Sequence, residues 1–390
     1  MKFLLSPCSY KGTISAPELA AALAEVLEGS GHEADILPIA DGGDDTLSCL
    51  QAALGGKFVY INVIGPLKSP VRARFFCTTQ SSETESDSES SPESRSQSRT
   101  QSRTQSRSGL AVIELASTSG IAYLGAQQRD CLGAHTYGFG QAIRRAILDG
   151  ARDIVLTLGG SASTDGGAGA LMALGARFET ATGESIELGG GGLSTISSCS
   201  FDEMKALIAQ VKFTIASDVV SPLLGEHGAA AVFAPQKGAD PAQVQKLEAA
   251  LAHYADIMEG AFARRLRDLP GAGSAGGAGF GLALALNAPI ISGFDWLASM
   301  LDLEKRLAAC DIVVIAEGRL DGQSLAGKAS MQLAGRAQAL GKRVAALPAS
   351  VSPDFQSDLL DYVEVTSAGA PADLSSVRDT FKKMLSTIEP

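Results

Sequence analysis

Aromatic side chains are scarce in this chain, at 5 % of 390 residues with a single tryptophan. So few rings exclude an aromatic-rich sandwich core and a base-stacking nucleic-acid platform. Positive charge is also in short supply: 32 Lys and Arg face 43 Asp and Glu, for a formal net charge of −11. That balance excludes a general affinity for nucleic acid or acidic membranes, although a small anionic substrate would feel only the local field of its cleft. The six cysteines (Cys8, Cys49, Cys77, Cys131, Cys199, Cys310) show no CxxC spacing and no histidine cluster beside them. Neither a disulfide framework nor a zinc site is expected, and reduced thiols in a cytoplasm are the simpler reading. His32, His135, His227 and His253 form no spaced cluster, and none is assigned a role. Long apolar runs are missing as well. Residues 280–286 are too few to span a bilayer, and the run after Met1 breaks within three apolar residues, without a signal-peptide core. A cytoplasmic protein with no membrane partner is expected.

What the chain has in quantity is glycine, 43 residues, and apolar side chains, 45 %. This is the composition of α/β layers joined by tight turns, over a length sufficient for two domains. Residues 2–6 read as a first strand. Ser15 with Glu18 fits a capping box, Pro17 is accepted in a first turn, and Leu19, Leu23 and Val26 recur at helical spacing. The alternation continues as strand 34–40, helix 44–54, strand 58–64, strand 110–116, helix 137–149 and strand 153–158.

Residues 81–108 interrupt this pattern with almost nothing but Ser, Thr, Gln, Glu, Asp, Pro and Arg. Without hydrophobic residues to offset the entropy of ordering, a disordered surface insertion is expected. Strands 71–78 and 110–115 would form a hairpin with the insertion at its tip, where extra chain costs little.

Two Asp-Gly-Gly turns, Asp41-Gly42-Gly43 and Asp165-Gly166-Gly167, each follow an apolar run. Paired glycines let the backbone come close to a ligand, and ligands collect at the carboxyl ends of strands in open α/β folds. A carboxylate placed there binds a metal, accepts a proton or orients a hydroxyl. The second turn belongs to the segment 159–169, which has five glycines plus Ser161, Ser163 and Thr164. A plain strand–helix connection needs one or two glycines, so a phosphate-holding loop before the helical run 168–174 is favoured. The Gly-rich stretch 271–281 reads equally as a second phosphate turn or as a close-packed helix start. Gly322 to Ala329 approaches a Walker A loop, but Ala329 stands where the magnesium-binding Ser or Thr belongs, and that reading is rejected. Glu317-Gly318-Arg319-Leu320-Asp321 gathers acid, base and acid just past the apolar strand 312–316, and Ser217-Asp218-Val219 follows strand 213–216. No GxGxxG directly follows the first strand, which disfavours a nicotinamide oxidoreductase.

Taken together, these segments resemble the type 1 glycerate kinase family. The matching stretches are Ser9-Tyr10-Lys11-Gly12, Ala40-Asp41-Gly42-Gly43, Gly65-Pro66-Leu67, 159–169, Ser217-Asp218-Val219, Pro235-Gln236-Lys237-Gly238-Ala239, 271–279 and 317–328. They occur in the family's order and span nearly the whole chain apart from the insertion. The resemblance implies two α/β domains with the active site in the cleft between them. One, flavodoxin-like and discontinuous, would take residues 1–62 and 286–390, and the other 63–285. It also implies phosphorylation of D-glycerate by ATP with Mg²⁺, 2-phosphoglycerate being favoured over 3-phosphoglycerate. Asp165, Asp41 and Lys11 are then the catalytic candidates, one aspartate taking the hydroxyl proton. Ser9, Gly42, Gly43, Gly159, Gly160, Ser161, Lys237, Gly276, Gly277, Arg319 and Asp321 are expected to bind substrate or phosphate, and Asp218 the metal. A homo-oligomer is compatible with the sequence.

The chain departs from the family pattern in places. Cys8 replaces an aspartate, Gly43-Asp44-Asp45-Thr46 replaces Gly-Glu-Gly-Thr, Ala316 replaces the Gly before Glu317, and Ser330 replaces a proline. A thiol is a poor Mg²⁺ ligand. The alternative to an active kinase is therefore a catalytically weak homologue with a binding or regulatory role.

Overall fold

In chain order the strands are β1 (Lys2–Pro7), β2 (Glu33–Ile36), β3 (Lys57–Ile64), β4 (Pro70–Cys77), β5 (Leu110–Glu114), β6 (Asp153–Thr157) and β7 (Arg177–Glu179). They continue as β8 (Ser198–Ser200), β9 (Lys212–Ala216), β10 (Ile290–Ile291), β11 (Ile312–Leu320), β12 (Arg343–Val351) and β13 (Tyr362–Val363). The computed structural model describes residues 1–10, 13–39, 46–78, 109–325, 328–367 and 372–388. Lys11, Asp41, Gly42, Gly43 and the insertion 81–108 lie outside the described residues.

Five strands form a sheet in the order β13-β12-β11-β1-β2. All its pairings are parallel, and it draws on distant parts of the chain, Phe3 lying opposite Ile312. Parallel neighbours need crossovers, and the helix Ala16–Gly29 supplies the one from β1 to β2. Its capping box forms as the sequence requires: Glu18 accepts from the Ser15 N–H at 2.9 Å, and Ser15 Oγ accepts from the Glu18 N–H. Leu19, Leu23 and Val26 are buried on its inner face.

The middle of the chain makes a six-stranded mixed sheet in the order β10-β9-β6-β5-β4-β3. Strands β5, β6, β9 and β10 run parallel, whereas β4 runs antiparallel to its neighbours β3 and β5. Phe76 faces Val112 across β4 and β5, so these two strands pair on either side of 81–108. A two-stranded sheet, β7 with β8, completes the set.

Two strands end four residues away from their sequence reading. The strand expected over 34–40 is regular only over Glu33–Ile36, although the Leu37 and Ile39 N–H groups beyond it still donate to the Leu5 and Pro7 carbonyls of β1, at 2.8 and 3.2 Å. The strand expected over 312–316 continues to Leu320, because β12 runs on beside it and pairs Arg319 with Ser350 and Leu320 with Val351.

One apolar cluster is common to both large sheets. It joins Leu4, Val313 and Val344 of the first sheet to Phe76, Val112 and Val155 of the second. Phe294 and Leu297 of the helix Gly293–Met300 belong to the same cluster. Register aligns Glu114 with Thr157 and Thr157 with Ala216. The chain therefore leaves β5, β6 and β9 at one edge, and the glycine-rich loop and Asp218 follow there. No helix among the described residues is long and apolar enough to cross a membrane.

Candidate active site

Asp165 is fully buried. Its Oδ2 accepts from the Thr136 N–H at 2.8 Å, from Thr136 Oγ1 at 2.8 Å and from the Gly169 N–H at 3.3 Å, and its Oδ1 from the Gly167 N–H at 3.2 Å. Thr136 Oγ1 in turn accepts from the Ala170 N–H at 2.9 Å. The carboxylate thus ties the start of the helix Tyr137–Leu148 to the start of the helix Ala168–Leu174. Gly166 and Gly167 both have positive φ, 62° and 79°, and a Cβ on Gly166 would stand 2.6 Å from the Tyr254 ring. The turn needs its glycines for conformation and for packing.

Lys237 lies close by and is also buried. Its Nζ donates to Ser161 Oγ at 2.8 Å and to the Ser163 carbonyl. Burial pushes this amine down to about 7, while the charge of Asp165 pulls it the other way. Desolvation disfavours an ammonium, and one carboxylate only partly offsets that. Above the amine, Gly159 is half-buried and Gly160 exposed, the latter at φ 64°. Ser161, 7 % exposed, is the link between this surface and the buried Lys237 amine.

The second Gly-rich stretch packs against the first. A Cβ on Gly276 would stand 2.2 Å from the Ser163 carbonyl, and one on Gly277 3.2 Å from Gly166 Cα. The Gly166 N–H donates to the Gly276 carbonyl at 3.1 Å. Gly276 and Gly277 are buried, and close backbone approach accounts for both.

Asp218 follows β9. Its Oδ1 accepts from Ser292 Oγ at 2.8 Å and its Oδ2 from the Phe294 N–H at 3.2 Å, which fastens the N-terminus of the helix Gly293–Met300. At the end of β5, Glu114 accepts from the Leu47 N–H at 2.9 Å. Leu47 lies in the first turn of the helix Thr46–Leu54, just beyond the Asp41 turn. On the other side of that turn, the Ile39 N–H donates to the Pro7 carbonyl at 3.2 Å. The segment carrying Asp41 is therefore flanked by one tether to the first sheet and one to the second.

The remaining candidates sit on the first sheet. Ser9 and Cys8 follow β1, and the Cys8 N–H donates to the Ala316 carbonyl at 2.8 Å. On β11, Glu317 accepts from Lys328 Nζ at 2.8 Å and from the Ser330 hydroxyl. Ser330, a departure from the family pattern, thus has a defined partner. Arg319 is largely exposed and pairs with Asp321 at 3.6 Å. Asp321 accepts from the Ser324 N–H at 3.2 Å, capping the helix Gly322–Leu325.

Sequence reasoning missed Glu114, Thr136 and His135. Glu114 had a signal, as the one charge closing the apolar strand Leu110–Glu114. Thr136 and His135 had none, since they meet Asp165 only through tertiary packing. His135 is fully buried, and its Nδ1 accepts from the Tyr137 N–H at 3.3 Å. Burial holds the imidazole below its usual range, so it is neutral with its proton on Nε2, which has no partner among the described residues.

A glycine-rich loop over a buried lysine, set at the carboxyl edge of a parallel sheet, suits an anion carried on a small molecule. Comparison with known proteins decides the family. The glycerate kinase family model matches residues 3–384. The chain belongs to the glycerate kinase family. It is 34 % identical to glycerate 2-kinase of Escherichia coli strain K12, over 91 % of this chain and 86 % of that protein. It is 35 % identical to glycerate kinase of Bacillus subtilis strain 168, over 91 % of this chain and 86 % of the relative. The fold superposes on the crystal structure of a protein described as glycerate kinase 2 from Salmonella typhimurium LT2, with a TM-score of 0.81 and 32 % identity. That match covers 100 % of this chain and 97 % of the other. As a glycerate kinase, the chain is a phosphotransferase enzyme.

Proposed function

We propose that this glycerate kinase transfers the γ-phosphoryl group of ATP to the 2-hydroxyl of D-glycerate. The observation that carries the reading is the loop Gly159-Gly160-Ser161, with Lys237 bonded beneath Ser161 at 2.8 Å. The 2-hydroxyl is favoured by the likeness to the Escherichia coli protein named glycerate 2-kinase. Phosphoryl transfer asks a protein mainly for positioning and charge neutralisation, with one group to receive the hydroxyl proton. In this reading Gly159, Gly160 and Ser161 present backbone N–H groups and a hydroxyl to the phosphates. Lys11 and Arg319 supply positive charge, and Lys237 holds Ser161 in place. The burial of Asp165 under four donors favours a positioning role for it, which leaves Asp41 as the proton acceptor.

Magnesium at a nucleotide site usually keeps several waters and needs only one or two carboxylates besides the phosphates. Asp218 fits that demand: it is a hard oxygen donor at a strand end, and a carboxylate has lone pairs beyond the two used on the helix Gly293–Met300. When bound, the metal would neutralise charge on the transferring phosphates.

The test is ATP consumption with D-glycerate and Mg²⁺, with the product identified by ³¹P NMR. A 2-phosphoglycerate signal is expected. A 3-phosphoglycerate signal would overturn the regiochemistry, and absence of product would overturn the activity in favour of a weak homologue in which Cys8 is the first residue to revert.

A further inference from the structure

A second polar cavity lies beside Glu114 and is distinct from the glycine-rich loop. It measures about 260 Å³, and its lining includes Tyr60, Arg72, Arg74, Glu114, Ser117 and Tyr123. The sheet itself builds it. Antiparallel pairing sets Arg74 opposite Tyr60 and Arg72 opposite Asn62, so the two arginines alternate onto one face of β3 and β4. The Arg74 guanidinium lies over the Phe58 ring at 4.3 Å, and that of Arg72 over the Tyr60 ring at 5.0 Å. Both are thereby held in place by flat aromatic supports. The Ser117 hydroxyl lies within bonding distance of the Arg74 carbonyl, 3.0 Å, and of the Glu114 carbonyl, 2.9 Å, locking the cavity wall to the end of β5.

Two features give this cavity its selectivity. Arg74 is half-buried, yet its side chain donates to a neutral group, Ser48 Oγ at 2.9 Å. Among the described residues neither Arg72 nor Arg74 has a carboxylate at ion-pair distance, and a guanidinium offers five N–H donors. A planar anion held bidentately is the natural complement. Glu114 lines the same space, and a carboxylate there accepts hydrogen bonds while repelling a second negative charge. A small molecule with one carboxylate and at least one hydroxyl satisfies both. Bare phosphate satisfies only the arginines. Ligand pockets for drug-sized molecules begin at roughly 300 Å³, so the cavity suits a three-carbon acid better than a nucleotide. Two of its lining residues are bonded to the first turn of the helix Thr46–Leu54, Glu114 to the Leu47 N–H and Arg74 to Ser48 Oγ, and that turn is next in sequence to the Asp41 turn.

We propose that Arg74, assisted by Arg72, binds the carboxylate of the hydroxy-acid acceptor and that Glu114 accepts a hydrogen bond from its hydroxyl. The assignment rests on the kinase reading above and places the acceptor near the first turn of the helix Thr46–Leu54.

The experiment is steady-state kinetics of Arg74→Gln and Arg74→Lys, with D-glycerate and ATP varied separately. Loss of a bidentate pair raises the KM for D-glycerate about tenfold or more in Arg74→Gln, with partial recovery in Arg74→Lys and no change in the KM for ATP. An unchanged KM for D-glycerate in a variant with the wild-type thermal midpoint overturns the proposal, and so does a rise confined to ATP. If the wild-type protein does not turn over D-glycerate, the kinase reading fails by itself, and calorimetric titration reads the cavity directly. Binding of D-glycerate but not glycerol, lost in Arg74→Gln, then supports the carboxylate site. Equal binding by wild type and variant, or none by the wild type, overturns it.

Discussion

Lys237 and Ser161 stand 76 residues apart in sequence and meet with Nζ 2.8 Å from Oγ, inside the loop that joins β6 to its helix. The amine is buried, and burial has moved it down to about 7.

A pH dependence follows from that shift. The folded protein releases the Lys237 proton near 7, whereas the unfolded chain keeps it to about 10.4. Between those values the unfolded state binds more protons, so this group's contribution to stability rises with pH and is lost as pH falls toward 7. Wild type should therefore gain on Lys237→Met by up to about 1.4 kcal/mol per pH unit between pH 7 and 9. Urea unfolding of both proteins across that range measures it; a constant difference would mean the amine titrates normally.

Asp165→Asn should unfold more readily than wild type. With Nδ2 in place of Oδ1, the amide turns N–H groups toward the Gly167 N–H, which loses its acceptor. Leaving a buried donor unsatisfied costs about 1–3 kcal/mol. A thermal midpoint unchanged from wild type, alongside a collapsed kcat, would restore Asp165 as the group that takes the proton.

Gly276→Ala separates packing from ligand cradling. Its Cβ would fall 2.2 Å from the Ser163 carbonyl at a φ of 68°, so a loss of at least about 2 kcal/mol is expected. Chemical denaturation reads this without any ligand. A variant as stable as wild type but weakened toward ATP would make the stretch a phosphate turn instead.

Asp218→Asn keeps an oxygen acceptor for the helix Gly293–Met300 while removing the charge a metal would use. The Mg²⁺ concentration for half-maximal rate should rise roughly tenfold, with the thermal midpoint nearly unmoved. A shift in the midpoint alone would confine Asp218 to capping that helix.

Much of this arrangement is legible in the sequence, because it depends on local pattern. Apolar runs gave β1, β5, β6 and β9, and the spacing of Leu19, Leu23 and Val26 gave the first helix. The glycerate kinase family was visible from short motifs in order. The finer site was not legible, because it rests on contacts between distant residues. Asp165 reads as a turn carboxylate with several open roles until Thr136, 29 residues away, is seen to bond it. Glu317 to Leu320 reads as loop until β12 extends the ladder. Arg72 and Arg74 read as ordinary strand polar positions until Ser117 and Glu114 complete the cavity.

The union of β1 with β11 also sets a schedule for biosynthesis. The Lys2 N–H finds its partner, the Asp311 carboxylate, across a separation of 309 residues. At ribosomal speeds of about 5–20 residues per second, β1 waits roughly 15–60 s after its own synthesis for that neighbour. Strand β2 can cover one of its edges early, and the middle sheet can assemble meanwhile, but the other edge of a strand that ends almost wholly buried stays open. On the nascent chain, that edge is where a chaperone has the longest opportunity to hold on.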